Sequence, residues 1–359
     1  MVGVKDMKQV IKKGVIALIC LCLAGGGIAF RGELFTLGVK TANFGATYYF
    51  TGGKVWTVWG NTNQNSQPMP PAQEEEPAPS QPAEASPTPL APTPPAGVKT
   101  GEVQTKTLPL SAANTVGGGV HISNKTDLKV NLDAYLGQGM PFSLKNTGQP
   151  QVLIVHTHAT ECYLQGDYGY YISSASTRST DNTQNTVRVG QVLAEVLNEA
   201  GIVAINDATQ HDYPNYTGSY TRSRQTIENY LEKYPTIQVV IDLHRDAIGS
   251  DGVKIKPTVE IGGKKAAQIM ILAGCETGSV ENFPNWQENF KFCLQLQRQL
   301  ETDYENLCRP LLFKACKYNF DISVGSILVE MGTDANTLQE AEYSATLLGR
   351  ALTQILQPT

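Results

Sequence analysis

An α/β fold with a largely parallel sheet is what residues 151–359 predict, and three observations carry that expectation. Short apolar runs rich in β-branched residues recur: QVLIVHTH, IQVVIDLH, AAQIMILAG and SILVEMG. Stretches with apolar residues at helical spacing lie between them. The runs are apolar throughout rather than alternating, the pattern of strands covered by helices on both faces.

From the N-terminus, residues 1–13 carry Lys5, Lys8, Lys12 and Lys13, and residues 14–30 (GVIALICLCLAGGGIAF) are free of charge. This reads as a transmembrane segment of ~26 Å of helix, able to cross a ~30 Å hydrocarbon core with snorkelling lysines. The alternative is a cleaved signal peptide, for which Ala24 to Gly27 offer small residues. In either case the lysines favour a cytoplasmic N-terminus and an extracytoplasmic remainder. Residues 31–65, with TYYF and VWTVWG, form a membrane-proximal region, either a short ordered piece or a skirt. Residues 66–98 are so rich in proline that no packed element is expected there, leaving an extended, disordered linker with a reach on the order of 100 Å. Residues 99–150 are transitional, with a strand expected around Lys129 and an isolated surface histidine, His121, in GGGVHIS.

Within residues 151–359, Val189, Val192, Leu193, Val196 and Leu197 make a helical stripe that ends at Gly201. Helices are also expected over 223–234, 286–304 and 337–356, and strands over IQVVIDLH, AAQIMILAG and SILVEMG. A net charge of −5 with no long basic run gives no basis for a nucleic-acid partner. The seven cysteines include no CxxC pair, which argues against a cysteine-type structural zinc site.

Function gathers at the carboxyl ends of such strands. Here those ends offer His156, His158 and Glu161 in LIVHTHATE, Asp242, His244, Arg245 and Asp246 in IDLHRDA, and Glu330, Asp334 and Asn336 in SILVEMGTDAN. Neighbouring strand ends lie about 5 Å apart, so such side chains can converge. Two imidazoles and a carboxylate around zinc, with one position open to water and a further carboxylate as base, would make a hydrolytic centre.

The stretches IVHTHATECY, TRSTDNTQNTVRVGQVLAEVLNEAGI, SYTRSRQTIENYLEKYPTIQVVIDLHRDAI, FPNWQENFKFCLQLQRQL and SILVEMGTDANTLQEAEYSATLLGRAL resemble the stage II sporulation protein P family over about residues 152–352. The resemblance implies an amidase-like three-layer α/β fold with a mostly parallel central sheet flanked by helices. It also implies a Zn2+-dependent N-acetylmuramoyl-L-alanine amidase acting on peptidoglycan, with endopeptidase action on cross-links credited to the family as well. The implied setting is the space between mother cell and forespore during engulfment, and the implied partners are stage II sporulation proteins D and M.

Carried onto this sequence, the amidase pattern places a metal ligand at His244 and the catalytic base at Glu330. The first histidine ligand is His156 or His158, with His156 favoured by the resemblance. The carboxylate ligand is Glu161 in preference to Asp181, which would instead cap a helix. Arg245 would bind a substrate carboxylate or the developing oxyanion, the alternative being an ion pair with Asp242 or Asp246. Arg222 and Arg224 line the groove or are surface charge. His211 joins the site from a loop or is a solvated loop histidine. Cys162 is expected to be an inert buried thiol. The rival functions are a non-catalytic wall-binding module and a tethered metallopeptidase acting on protein.

Overall fold

The computed structural model describes residues 93, 94 and 96–357, and as backbone alone residues 35–41, 44–51 and 54–60. The expected transmembrane segment and most of the proline-rich linker lie outside the described residues. Among the described residues no helix is long and apolar enough to cross a membrane. The chain forms two units, residues 1–85 and 86–359. In the first, β1 (Phe35–Thr41), β2 (Phe44–Thr51) and β3 (Lys54–Gly60) form an antiparallel sheet in that order.

The second unit opens with β4 (Thr100–Lys106), β5 (Thr115–Gly117), β6 (Val120–Asn124), α1 (Leu132–Gly137), β7 (Val152–Val155) and β8 (Tyr170–Ile172). Then come α2 (Thr186–Glu199), β9 (Ala204–Asn206), α3 (Ser219–Lys233), β10 (Val239–Asp246), β11 (Gly249–Ser250), β12 (Val253–Ile261) and β13 (Lys264–Ala267). The chain closes with β14 (Ile269–Cys275), α4 (Trp286–Asp303), β15 (Leu311–Ala315), β16 (Gly325–Thr333) and α5 (Leu338–Ile355).

The central sheet runs β5-β6-β15-β14-β16-β10-β7-β9. It is mostly parallel, as expected, with two exceptions: the edge strand β5 runs antiparallel to β6, and β14 runs antiparallel to β16, where the parallel runs β6-β15-β14 and β16-β10-β7-β9 meet in opposite directions. A smaller sheet, β11-β12-β4-β8 with β13 beside β12, lies apart from this path. The AAQIMILAG run thus serves two sheets. It breaks at Gln268, whose side chain accepts from Leu108 N at 2.7 Å and donates to Leu108 O at 3.0 Å. Around Lys129 the expected strand is absent; Asn131 instead caps α1 by accepting from Ala134 N.

Side-chain alternation divides the central sheet's two faces. On one, Ile154, Ile241, Leu243, Ile271, Ile327 and Val329 join α2, α4 and α5 in the large core. On the other, Leu153, Val155 and Val240 pack under α3 through Ile227. The helix expected over 223–234 starts earlier, at Ser219, whereas two other helix ends follow their local sequence. Gly201 at φ 83° closes α2, with Ile202 N donating to Leu197 O, a turn open to glycine at no steric cost. Thr337 and Glu340 form a reciprocal capping box on α5.

Candidate metal centre

The site sits where the smaller apolar face runs out. In β10, Val240 belongs to the cluster under α3, and Asp242 and His244 continue the same side of the strand. In β16, Leu328 and then Glu330 do likewise, and the parallel register makes His244 and Glu330 direct Cα neighbours. β7 ends at Val155, opposite Asp242. Thr157 then docks on Asp242, its N–H donating to Oδ1 at 2.9 Å and its hydroxyl to Oδ2 at 2.6 Å. From that anchor the chain turns through residues 157–160 and presents His158 and Glu161.

The ligand atoms of His158, Glu161 and His244 all lie within 4.8 Å of one another. Glu161 stands between the rings, its Oε1 3.5 Å from His158 Nδ1 and its Oε2 3.5 Å from His244 Nδ1. His244 Nε2 lies 2.9 Å from Asp242 Oδ1 on its other side. Burial opposes ionisation of Glu161, yet the two imidazoles and Arg245 hold its carboxyl well below the usual carboxylate range. Burial likewise disfavours a charged His244, but Asp242 and Glu161 push its proton affinity well above the ordinary histidine value.

Glu330 differs from these groups. Burial pushes its carboxyl up to about 7, against the opposing charge of His244 and with help from Glu161 and Asp246. Among the described residues nothing hydrogen-bonds its Oε2. These groups line a cavity of about 490 Å³ that also takes in Tyr220, Lys314 and Tyr318. A larger cavity of about 900 Å³, beside Asp167, Arg188 and Tyr343, contains none of them.

The structure brings together four of the sequence-derived residues, His158, Glu161, His244 and Glu330. His156 is placed elsewhere: it is fully buried, with Nδ1 donating to Leu243 O at 3.2 Å and Nε2 2.9 Å from Asn206 Oδ1. Geometry therefore favours His158 over His156, because the chain has already left the strand and the expected alternation of faces does not apply. Asp181 is exposed and accepts from Thr183 and Gln184 in its own loop, while Asn185 caps α2.

Arg245 turns its guanidinium to main-chain carbonyls, Nε to Cys162 O at 3.2 Å and Nη2 to Thr177 O at 2.7 Å. It pairs with neither Asp242 nor Asp246; the latter pairs with Arg309 at 2.8 Å. Its link to the cluster is its backbone N–H, which donates to Glu161 Oε2 at 3.2 Å. His211 is buried rather than solvated, with Nδ1 donating to His156 O and Nε2 2.9 Å from Thr226 Oγ1. Arg222 ties down the carbonyls of His211, Asn215 and Thr217, and Arg224 pairs with Glu228 and Asp321. His121 is not isolated, because the fold sets Glu301 2.7 Å from its Nδ1. Asp334 pairs with Lys254, and Asn336 closes a buried network with Glu340 and Thr258. Cys162 is half-buried, and burial raises its thiol.

Sequence reasoning passed over Asp212 and Arg178. Asp212 Oδ2 accepts from the Thr160 hydroxyl and from Arg178 Nη1, both at 2.6 Å, which fixes the turn carrying His158. Tyr216, on the 211–217 loop, stacks on the His158 ring at 4.7 Å between centroids. No local motif marks these residues; they act through contacts made across 30 to 60 positions of chain.

A model of the family described as stage II sporulation protein P matches residues 61–353. A curated relative, stage II sporulation protein P of Bacillus subtilis (strain 168), is 27% identical over 213 residues, 56% of this chain and 50% of the relative. The chain thus spans about half the length of the curated relative it matches. Among solved structures, the N-acetylmuramoyl-L-alanine amidase AmiC2 of Nostoc punctiforme aligns at a TM-score of 0.34 and 10% identity, over 58% of this chain and 94% of that one.

Proposed function

The chain belongs to the stage II sporulation protein P family, and from that premise we propose that it is a membrane-anchored, zinc-dependent peptidoglycan hydrolase of sporulation. Its reaction is that of an N-acetylmuramoyl-L-alanine amidase, cutting the amide between the lactyl group of N-acetylmuramic acid and the L-alanine of the stem peptide. Endopeptidase action on cross-links would use the same centre. The supporting observation is the trio His158, Glu161 and His244, with ligand atoms within 4.8 Å, beside a carboxyl oxygen of Glu330 that lacks a partner among the described residues.

The donor set fits zinc: two imidazoles and an ionised carboxylate, with the other ring nitrogen of His244 facing Asp242. A zinc ion held there would supply Lewis acidity, polarising the amide carbonyl and making a water acidic near neutral pH. Glu330 accepts the proton of the attacking water and passes it to the leaving amine nitrogen. A carboxyl pushed up to about 7 is matched to both duties. Asp242 lies 2.9 Å from His244 Nε2, on the side of the ring away from Nδ1 and the cluster, and Tyr216 limits the swing of His158.

In the same reading residues 14–30 anchor the chain in the membrane, residues 66–98 space the catalytic region away from it, and that region, which takes in β4 to β6 as well as residues 151–359, works between mother cell and forespore. Stage II sporulation proteins D and M are its partners there. The test is zinc content and digestion of purified peptidoglycan by the full chain, with mass spectrometry of the products, beside His244→Ala and Glu330→Gln. Free stem peptides are expected from the wild type alone, with zinc retained in Glu330→Gln and lost in His244→Ala. Zinc-free wild type, or normal digestion by Glu330→Gln, would overturn the reading and leave a wall-binding role.

A further inference from the structure

One cation in the cavity lacks an ion-pair partner among the described residues. Alternation along β15 sends Leu311 and Phe313 into the large core and leaves Leu312 and Lys314 on the side of Leu328 and Glu330. Lys314 makes no ion pair among the described residues; its Nζ donates to Tyr318 Oη at 3.1 Å and lies 5.3 Å from that ring's centroid. The other cations lining the cavity are already engaged: Arg178 by Asp212 and Glu161, and Arg245 by carbonyl oxygens.

Between the metal trio and Lys314 the floor is apolar. The register pairs Leu328 with Leu272 and Leu272 with Leu312, side by side on the cavity face. Lys314 comes two residues beyond Leu312 on the same face, at the end of the floor away from Glu330 and His244. A half-buried ammonium without a direct ion-pair partner costs solvation that an anionic ligand returns, and a hydrogen bond to an ionised group is among the stronger polar contacts.

We propose that Lys314 is a substrate-binding residue: it takes a free carboxylate carried by the stem peptide beyond the scissile amide, while the leucine floor receives the small side chain between them. The inference rests on the hydrolase reading for the identity of the substrate, but not for the existence of an anion subsite in this cavity. It makes the centre selective for peptides whose second residue keeps an ionised α-carboxylate over those in which that group is a carboxamide. Tyr318 positions the ammonium through its hydroxyl.

The test uses two soluble N-acetylmuramoyl tripeptides, both blocked as the amide at the C-terminus and differing only in carboxylate or carboxamide at the second residue. The full zinc-loaded chain is expected to prefer the carboxylate form by roughly 10- to 100-fold in kcat/KM. Lys314→Met should bring that ratio close to one, and Lys314→Arg should restore part of it. Titration calorimetry of the same peptides against Glu330→Gln reports the preference without turnover. If the wild type cleaves neither peptide but calorimetry shows a preference that Lys314→Met removes, the hydrolase reading fails and the subsite stands. Cleavage without a preference, an equal loss on both peptides in Lys314→Met, or no binding of either peptide would overturn the subsite.

Discussion

Asp242 Oδ1 stands 2.9 Å from His244 Nε2, on the opposite side of the imidazole from the nitrogen that faces Glu161. The same carboxylate receives both the N–H and the hydroxyl of Thr157, the first fixed residue of the turn that carries His158 and Glu161. One buried side chain therefore orients a ligand of β10 and ties down the loop that presents the other two. Asp242→Asn, which keeps an acceptor for Thr157 but removes the charge beside His244, is expected to weaken zinc binding roughly 10- to 100-fold. Competition with a fluorescent chelator measures this directly; unchanged affinity would leave Asp242 no part in orienting the ligand.

The two histidines of HTH should separate cleanly by substitution. His158→Ala is expected to abolish stoichiometric zinc and to lower the stability of the zinc-free chain less than His156→Ala does, since His158 lies at the wall of an existing cavity rather than fully inside the core. His156→Ala should do the reverse. It would empty a fully buried position and strand the Leu243 carbonyl and the Asn206 amide, at a cost of about 2–5 kcal/mol, while leaving the three ligands in place. Zinc analysis and urea unfolding on both variants decide the assignment.

Much of this was legible in the sequence because strand ends are where an apolar run stops and polar residues begin. That logic offers His244 and Glu330 among ten polar residues at strand ends; the family resemblance singles these two out, and Glu161 is preferred for its closeness to a histidine-bearing strand. What could not be read was where β7 stops. With the strand ending at Val155, His156 points into the interior and His158 rides on a turn, so a rule of alternating faces gives no answer. Strand direction was equally hidden, because an apolar run such as IMILAGC reads the same whether it pairs parallel with β15 or antiparallel with β16. Lys314 and Asp212 carry no motif. Their meaning comes from what the fold leaves beside them.

Gly190 offers a sharper check on the packing around His156. In an unconstrained helix alanine is favoured over glycine by about 1 kcal/mol. At this position in α2 an added Cβ would stand 2.4 Å from Asn206 Oδ1 and 2.7 Å from the His156 ring. Gly190→Ala is therefore expected to lower stability by about 1–3 kcal/mol, the cost of overpacking, in spite of its helix propensity. A rise in Tm would mean that Asn206 and His156 do not pack against this helix as described.

The buried carboxyl of Glu330 should be visible in the pH dependence of folding. Its ordinary value is 4.5 and its folded value about 7, so between those limits the folded chain holds a proton that the unfolded chain has released. Stability from this group is greatest below 4.5 and falls as pH rises through 7, the reverse of the trend for Glu161 and Asp242, whose depressed values favour folding until pH drops. Most of those contributions are common to the wild type and to Glu330→Gln, so the difference between the two reports Glu330 together with its coupling to Glu161 and His244. On chelator-treated full chain, Glu330→Gln minus wild type is expected to lie near zero at about pH 4 and to grow to at most about 3 kcal/mol above pH 7. Urea unfolding at three pH values reads the slope. A difference that stays flat would put the carboxyl in contact with water in both states, and a carboxylate so solvated would be too weak a base for the proton transfer assigned to it.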